Sequence, residues 1–252
     1  MSRIEDALKK NKMEGTRQQA SPRTITPGRA GGRVNDLIVA YHNPEKALTE
    51  SFKQFFTQIQ AQARVRNVPA ETIAFTSAMK GEGKSVVALN VAVALAGDHQ
   101  GPVCIVDADL RNPSLHNLLG TANSAGFSSA LADVASSPAS LVVPTPVERL
   151  ALLPAGDKPD NPSELLNSER TAQVVRELHR VYDYVIFDCP PVLPVTDTIH
   201  LASCVDGVVL VIEAGKTNKR QVEEAVKLLG DVEMLGFILN KAHADETFKD
   251  YR

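Results

Sequence analysis

Residues 71–85 read Glu-Thr-Ile-Ala-Phe-Thr-Ser-Ala-Met-Lys-Gly-Glu-Gly-Lys-Ser, and this stretch decides the fold. Its first part, Thr72–Thr76, is a short apolar run that predicts a buried strand. A glycine-bearing turn follows and ends in Lys84 and Ser85, after which an apolar helical pattern continues to Ala96. A strand, such a turn and a helix in this order predict a phosphate-binding loop, because backbone N–H groups and the helix N-terminus converge on one anion.

The turn also supplies the side chains that bind a nucleoside triphosphate. Lys84 is expected to reach the β- and γ-phosphates, and the Ser85 hydroxyl to ligate Mg²⁺. Ala78 occupies the first glycine position of the pattern G-x-x-x-x-G-K-[ST], which is a small departure. A glycine-rich turn without a ligand is the alternative, but the flanking strand and helix favour nucleotide binding. The predicted nucleotide-binding residues are Gly81, Glu82, Gly83, Lys84, Ser85, Val86 and Asn240.

Asn240 belongs to the run Asn-Lys-Ala-His at residues 240–243. An Asn-Lys-x-Asp run would indicate guanine recognition, but His243 lacks the bidentate carboxylate. A contact between Asn240 and the base therefore weakly favours ATP.

Bulk composition excludes several functional classes. The 252 residues include 27 Lys and Arg against 30 Asp and Glu, so the formal charge is −3, whereas a nucleic-acid-binding protein normally shows a basic face. The three cysteines show no paired metal-ligand spacing, which favours a reduced cytoplasmic setting. No apolar stretch approaches the roughly 20 residues of a membrane span, and the first residues lack the apolar core of a signal peptide. We expect a soluble protein without a nucleic-acid partner.

The chain divides into a tail, residues 1–40, and a domain, residues 41–252. Ser2–Lys10 can form a short amphipathic helix, and Gly15–Gly32 is rich in Gly, Pro, Ser, Thr and Arg. Such a composition buries too little apolar area to become ordered. We predict a flexible tail that carries a docking helix. A frayed terminus without a function is an equally supported alternative.

From Val68 onward, short apolar runs alternate with helical patterns, which predicts an α/β fold: a doubly wound, mostly parallel sheet with helices on both faces. A helical stripe over residues 44–66 precedes it. The predicted strands are Thr72–Thr76, Val103–Val106, Leu150–Leu153, Tyr184–Phe187, Gly207–Ile212 and Gly236–Leu239. The predicted helices are Lys84–Ala96, Glu164–Val181, Asp197–Leu201 and Lys219–Leu229.

Two further strands end in carboxylates. Asp107 and Asp109 follow one strand, and Asp188 ends another. Ligands of a parallel sheet bind at the carboxyl ends of its strands, which is also the edge that carries the phosphate loop. We therefore expect the three carboxylates to meet near Mg²⁺ and the γ-phosphate, with Asp109 and Asp188 at the nucleotide site and Asp107 as a base.

With these motifs, the chain resembles the bacterial tyrosine kinases (BY-kinases) of polysaccharide export, within the MinD-type P-loop ATPases. The resemblance spans about residues 70–241. The first residues of the chain, Met1–Leu8, are also similar to the start of stand-alone members of this family, which are encoded with exopolysaccharide export systems. The segments that carry the resemblance are Ser77–Ser85, Ile105–Ser114, Leu153–Gly156, Asn161–Leu166, Val185–Pro191 with Asp197, Val205–Val211 and Gly236–Asn240.

The resemblance implies roles for these residues. Lys84 and Ser85 would hold ATP and Mg²⁺, and Asp109 and Asp188 would support the metal. Asp107 would activate the incoming tyrosine hydroxyl. The family works with a transmembrane chain-length-determinant (co-polymerase) protein, which implies a peripheral location at the inner face of the plasma membrane.

The chain departs from the family pattern at its C-terminus. BY-kinases end in a cluster of autophosphorylated tyrosines, whereas the last nine residues here contain only Tyr251. Tyr251 is a candidate phosphoacceptor, and an ordinary terminal aromatic residue is the alternative.

Two other departures concern assembly. The family's oligomerisation motif Glu-x-x-Arg-x-x-Arg corresponds to residues 50–56, where Lys53 and Phe56 replace the arginines. Lysine lacks the bidentate fork of arginine, and phenylalanine forms no ion pair. Assembly into a homo-oligomer through this motif therefore stays undecided, and a helix that packs on its own domain through its phenylalanines is favoured. Met79 stands where MinD-type dimers have their signature lysine, and Lys80 is expected to be a solvated loop charge.

Three functions follow in order of support. The first is a cytoplasmic ATP-dependent tyrosine autokinase that regulates exopolysaccharide chain length and export. The second is an ATPase switch of the same system that phosphorylates no protein, since the tyrosine cluster is missing. The third is a MinD- or ParA-like positioning ATPase that acts on membrane or DNA. Met79, the acidic balance of charges and the segment Asn161–Leu166 disfavour it.

Overall fold

Apolar strands that are covered on both faces form the centre of the fold. The computed structural model describes residues 32–193 and 197–242. Within them the strands follow the order β3-β4-β2-β5-β1-β6-β7, and all neighbouring pairs are parallel except β3 with β4. The strands are β1 (Thr72–Ser77), β2 (Val103–Asp107), β3 (Val143–Pro144), β4 (Leu150–Leu153), β5 (Tyr184–Asp188), β6 (Gly207–Glu213) and β7 (Met234–Asn240). The predicted doubly wound α/β fold is confirmed.

Helices cover both faces of this sheet, and the core is therefore in two layers. Successive side chains of a strand point to opposite faces, so Ile73 and Phe75 join one layer while Ala74 joins the other. The helices are α1 (Val39–His42), α2 (Ala47–Arg66), α3 (Lys84–Asp98), α4 (Leu115–Leu119), α5 (Phe127–Ala132), α6 (Pro162–Leu166), α7 (Glu169–His179), α8 (Asp197–Ser203) and α9 (Lys219–Leu229). None of the helices in the described ranges has the length and apolar character needed to cross a membrane.

The predicted single helix Glu164–Val181 is wrong. The chain forms two helices, α6 and α7, because Ser168, which has an extended backbone (φ −80°, ψ 154°), interrupts the helical conformation and stands at the N-cap position of the second helix. The hydroxyls of Ser168 and Thr171 donate to the carbonyls of Leu165 and Leu166. Local polar groups thus satisfy the backbone at the break, which a hydrophobic pattern does not reveal.

The folded body begins before the predicted boundary at residue 41. Val34 and Ile38 are buried in the layer formed by α2 and α3. Asn90 of α3 fastens this segment, since its side chain accepts from the Ala40 N–H (3.0 Å) and donates to the Leu37 carbonyl (3.0 Å). The predicted helix Ser2–Lys10 lies outside the described residues, as does Tyr251.

Helix α2 packs on its own domain through its phenylalanines. The Phe56 ring is buried and lies edge-to-face against Tyr184, with 5.1 Å between the ring centroids. Lys53 Nζ lies 3.7 Å from Asp98 Oδ1. Both residues that replace the family's arginines therefore contact this domain.

Asn90→Ala is expected to destabilise the protein by about 1–3 kcal/mol, because the buried Ala40 N–H and the part-buried Leu37 carbonyl would lose their partner. The free energy of unfolding, measured in urea, checks this. Asn117→Ala, which changes an exposed asparagine of α4, is the matched control and should change stability little. Equal effects of the two substitutions would contradict a fastening role for Asn90.

Candidate active site

The phosphate loop follows the central strand of the sheet. β1 pairs with β5 on one side and β6 on the other, so the loop lies at the middle of the carboxyl edge. Gly81 and Gly83 have φ of 91° and 90°, which favours glycine. A Cβ atom on Gly83 would also lie 2.2 Å from Asn240 Nδ2. Helix α3 begins directly after it, at Lys84, so its unpaired N–H groups face the loop.

The structure brings the predicted carboxylates together around Lys84. Asp107 and Asp188 are paired across β2 and β5. The Lys84 ammonium donates to Asp109 Oδ2 (2.9 Å) and lies 3.6 Å from Asp188 Oδ1. This cation is only 12% exposed, so the attraction acts in a region largely shielded from water.

These neighbours keep Lys84 charged. Burial lowers the pKa of Lys84, but the carboxylates of Asp188 and Asp109 outweigh it and the net pKa is raised. Burial raises the pKa of Asp188, and Lys84 opposes that shift. The lysine therefore presents a full positive charge next to the loop that would hold the phosphates.

Asp107 has one engaged and one unengaged oxygen. Its Oδ2 accepts from the backbone N–H groups of Ser114 and Leu115, each at 2.9 Å, and so fixes the start of α4. Its Oδ1 is buried without a hydrogen-bond partner. Burial, followed by the charge of Asp188, raises the pKa of Asp107 to about 8.

The site suits a metal ion that brings most of its own ligands. Both oxygens of Asp188 are buried without hydrogen-bond partners, and the Ser85 hydroxyl lies 3.3 Å from Lys84 Nζ. Throughout the described ranges, no three His, Cys, Asp or Glu side chains are placed to hold a metal. Mg²⁺ typically uses one or two carboxylates together with phosphates and water, so Ser85, Asp109 and Asp188 fit it as predicted ligands.

The side chain of Glu82 has a role that the sequence did not indicate. It is 2% exposed and accepts from the Met79 N–H (2.7 Å) and from the hydroxyl of Thr217. Thr217 lies in the loop after β6, so the carboxylate joins the phosphate loop to the neighbouring strand. Glu82 thus turns its side chain into the protein and leaves only its backbone for phosphate contacts.

The end of β7 braces the same loop. Asn240 Nδ2 donates to the Glu82 carbonyl (2.8 Å), and Lys241 Nζ donates to the Gly81 carbonyl (2.7 Å). Asn240 therefore supports the loop, and its contact with a base stays a prediction.

Arg111 is a second residue whose placement the sequence did not reveal. Its guanidinium donates to both oxygens of Asp197 (2.6 and 3.3 Å) and to the Ser163 hydroxyl (2.9 Å). Asp197 is 1% exposed, and it also accepts from Ser163 (2.5 Å). Arg111 is held at the edge of a cavity of about 360 Å³ beside the phosphate loop.

Comparison with known proteins agrees with this geometry. Residues 70–236 match the family model of an AAA domain. Tyrosine-protein kinase YwqD of Bacillus subtilis (strain 168) is 37% identical over 83% of this chain and 88% of its own length.

The chain belongs to the bacterial tyrosine kinases.

Two further similarities are to a solved structure and to a longer relative of this BY-kinase. The crystal structure of the chimerical protein CapA2B2 has a TM-score of 0.76 and 30% identity, over 84% of this chain and 96% of that one. The succinoglycan biosynthesis transport protein ExoP of Rhizobium meliloti (strain 1021) is 31% identical over 86% of this chain, but the match covers only 28% of ExoP.

We expect Asp107→Asn to stabilise this BY-kinase in the absence of nucleotide at neutral pH. Because the pKa of Asp107 is raised to about 8, the folded state binds the proton more tightly than the unfolded state. Stability should therefore fall as the pH rises from about 4 to about 8. Asparagine keeps an oxygen for the two N–H groups and does not titrate.

Urea unfolding in nucleotide-free buffer, from about pH 5 to about pH 8, measures this difference. The variant should gain about 1 kcal/mol or more over wild type across the range, since one pKa unit corresponds to about 1.4 kcal/mol. Parallel pH dependences of the two proteins would show that the pKa of Asp107 is not raised.

Thr217→Val tests the bracing of the phosphate loop. Losing one donor to the buried Glu82 should weaken MgATP binding roughly fivefold to tenfold, a cost of about 1 kcal/mol. Titration calorimetry measures the dissociation constant. Thr57→Val, at an exposed position of α2, removes a hydroxyl that bonds only within its own helix and serves as control. Unchanged affinity in Thr217→Val would mean that the contact does not support the loop.

Proposed function

We propose that this BY-kinase transfers the γ-phosphoryl group of MgATP to protein tyrosine within an exopolysaccharide or capsule export system. One observation carries the proposal: Lys84 lies between Asp109 and Asp188, with Asp107 paired beside them at the end of the phosphate loop. This arrangement combines a fixed cation for the phosphates with carboxylates for a metal and a base.

Each group has a defined task in the transfer. The N–H groups of the loop and the charged Lys84 bind the β- and γ-phosphates and orient them for an in-line attack. Ser85, Asp109 and Asp188 would hold Mg²⁺, which would supply positive charge to the phosphate oxygens. Asp107 Oδ1 accepts the proton of the tyrosine hydroxyl, and a pKa of about 8 is in the range in which a base works near neutral pH.

The acceptor and the partner belong to this proposal. Tyr251 is the proposed acceptor. Of the other three tyrosines, Tyr182 is buried, Tyr184 packs against Phe56, and Tyr41 is exposed and serves as the control below. We also propose that the protein is cytoplasmic and peripheral to the membrane, where it binds a transmembrane chain-length-determinant protein. The ExoP match, to a protein named for succinoglycan transport, supports polysaccharide export as the setting.

An ATPase switch without protein phosphorylation is the second candidate. The observation that favours it is that residues 244–252 contain a single tyrosine, Tyr251, as the candidate acceptor. The same site would then hydrolyse ATP, with water in place of the tyrosine hydroxyl. A MinD- or ParA-like positioning role is less well supported, because the chain belongs to the tyrosine kinases.

Lys84→Ala is expected to lower phosphotyrosine formation at least about a hundredfold, because the γ-phosphate loses its buried cation. The protein is incubated with γ-labelled ATP and its membrane partner, and phosphotyrosine is mapped by mass spectrometry. Lys227→Ala, on the exposed face of α9, is the control.

Tyr251→Phe then identifies the acceptor, with Tyr41→Phe as its control, since Tyr41 is 39% exposed. Loss of all label only in Tyr251→Phe would support the terminal acceptor. Phosphate release from ATP without any phosphotyrosine in wild type would favour the switch and exclude the kinase.

A further inference from the structure

The cavity beside the phosphate loop has a wall that phosphates would not use. Four apolar residues line it: Val86, Leu118, Pro190 and Pro191. Phosphate oxygens need N–H groups and cations, which the loop and Lys84 supply. An apolar wall of this kind favours a hydrophobic or aromatic group. We call these four residues the acceptor slot.

The acceptor slot lies on one particular side of the phosphate loop. Leu118 follows β2 and Pro190 and Pro191 follow β5, while Val86 lies in α3 directly after the loop. Asn240 and Lys241, in contrast, brace the loop from β7. In the strand order, β5 and β7 are on opposite sides of β1. The slot therefore adjoins Asp109 and Lys84, where the γ-phosphate is proposed to bind, and is separated from the predicted base contact.

Two cations complete the same cavity. Arg111 is fixed by the buried Asp197, while Lys80 is exposed on the phosphate loop. Asp197 neutralises part of the charge of Arg111, but Arg111 still has donors beyond those used by Asp197 and Ser163. A cationic rim around an apolar slot complements an aromatic ring with carboxylates close to it.

We propose that the acceptor slot binds the ring of the acceptor tyrosine and that Lys80 and Arg111 select tyrosines flanked by acidic residues. This inference rests on the proposed kinase function and names its substrate class. The chain's own residues 243–252 contain such a sequence, with Asp245, Glu246 and Asp250 close to Tyr251.

The acceptor slot would hold the tyrosine for transfer of the γ-phosphoryl group of ATP to its phenol oxygen. The phenol oxygen attacks the γ-phosphorus of ATP and forms a new P–O bond. The bond from the γ-phosphorus to the β,γ-bridging oxygen breaks, and ADP leaves with the electron pair. The phenol proton passes to Asp107 Oδ1, so the products are ADP, phosphotyrosine and one proton.

Leu118→Ala tests the apolar wall. We use the full chain, MgATP and a synthetic peptide with the sequence of residues 243–252 as acceptor. The KM for peptide should rise about tenfold, while the KM for MgATP stays within about twofold. Leu228→Ala, which removes a 41% exposed leucine from α9, is the matched control and should change neither constant. A larger rise in the KM for MgATP than for peptide would mean that the wall binds the base and would overturn the proposal.

Lys80→Glu tests the cationic rim without disturbing the buried Asp197. A second peptide replaces Asp245, Glu246 and Asp250 by their amides. Wild type should prefer the acidic peptide by about fivefold or more in kcat/KM, and Lys80→Glu should remove most of that preference. Lys227→Glu makes the same charge change on α9 and should keep it. Equal use of the two peptides by wild type would overturn the selectivity.

A binding measurement separates failure of the slot from failure of the kinase function. Fluorescence anisotropy follows a labelled peptide in which Tyr251 is replaced by Phe, in the presence of MgADP. Leu118→Ala should weaken binding about tenfold relative to Leu228→Ala, whether or not wild type forms phosphotyrosine. Unchanged binding in Leu118→Ala would contradict the proposal that the acceptor slot binds the tyrosine ring. The same holds if wild type binds no peptide but phosphorylates tyrosine elsewhere; in both cases the kinase function stays intact.

Discussion

A largely buried lysine among buried carboxylates is the constraint on which the rest of this structure depends. Lys84 is 12% exposed and contacts Asp109 and Asp188, which are 4% and 0% exposed. Removing one partner of such a pair typically costs about 3–5 kcal/mol, because a charge is left buried without compensation. The loop after β1 and the ends of β2 and β5 must therefore keep their positions relative to one another, so that Lys84 stays next to both carboxylates.

The surrounding elements serve to keep this cluster in place. Helix α3 begins at Lys84, and Asn90 in the same helix fastens the segment that precedes α2. On the other side, Glu82 joins the phosphate loop to Thr217. The phosphate loop is thus held by contacts from the loop after β6 and from the end of β7, which favours a loop that is already formed before nucleotide binds.

The sequence predicted the parts of the site that depend on strand order. Asp107 and Asp188 follow apolar runs, and parallel strands bring their carboxyl ends to one edge whatever the intervening chain does. It could not predict the inward turn of Glu82 or the brace from Asn240, because each joins residues more than 130 positions apart. The break between α6 and α7 was also missed, since local hydroxyl contacts ended a helix that the apolar pattern would continue.

By itself, the sequence determined the strand–loop–helix unit, the doubly wound sheet and the kinase family, because periodicity, glycine positions and strand-end carboxylates are local properties of the chain. Only the tertiary structure decided what each buried polar group contacts. Whether Asn240 braces the loop, whether Arg111 is held by Asp197, and which side of the loop carries an apolar wall depend on how separate strands are placed side by side. Those contacts follow from packing, where every buried donor and acceptor requires a partner close in space rather than close in sequence.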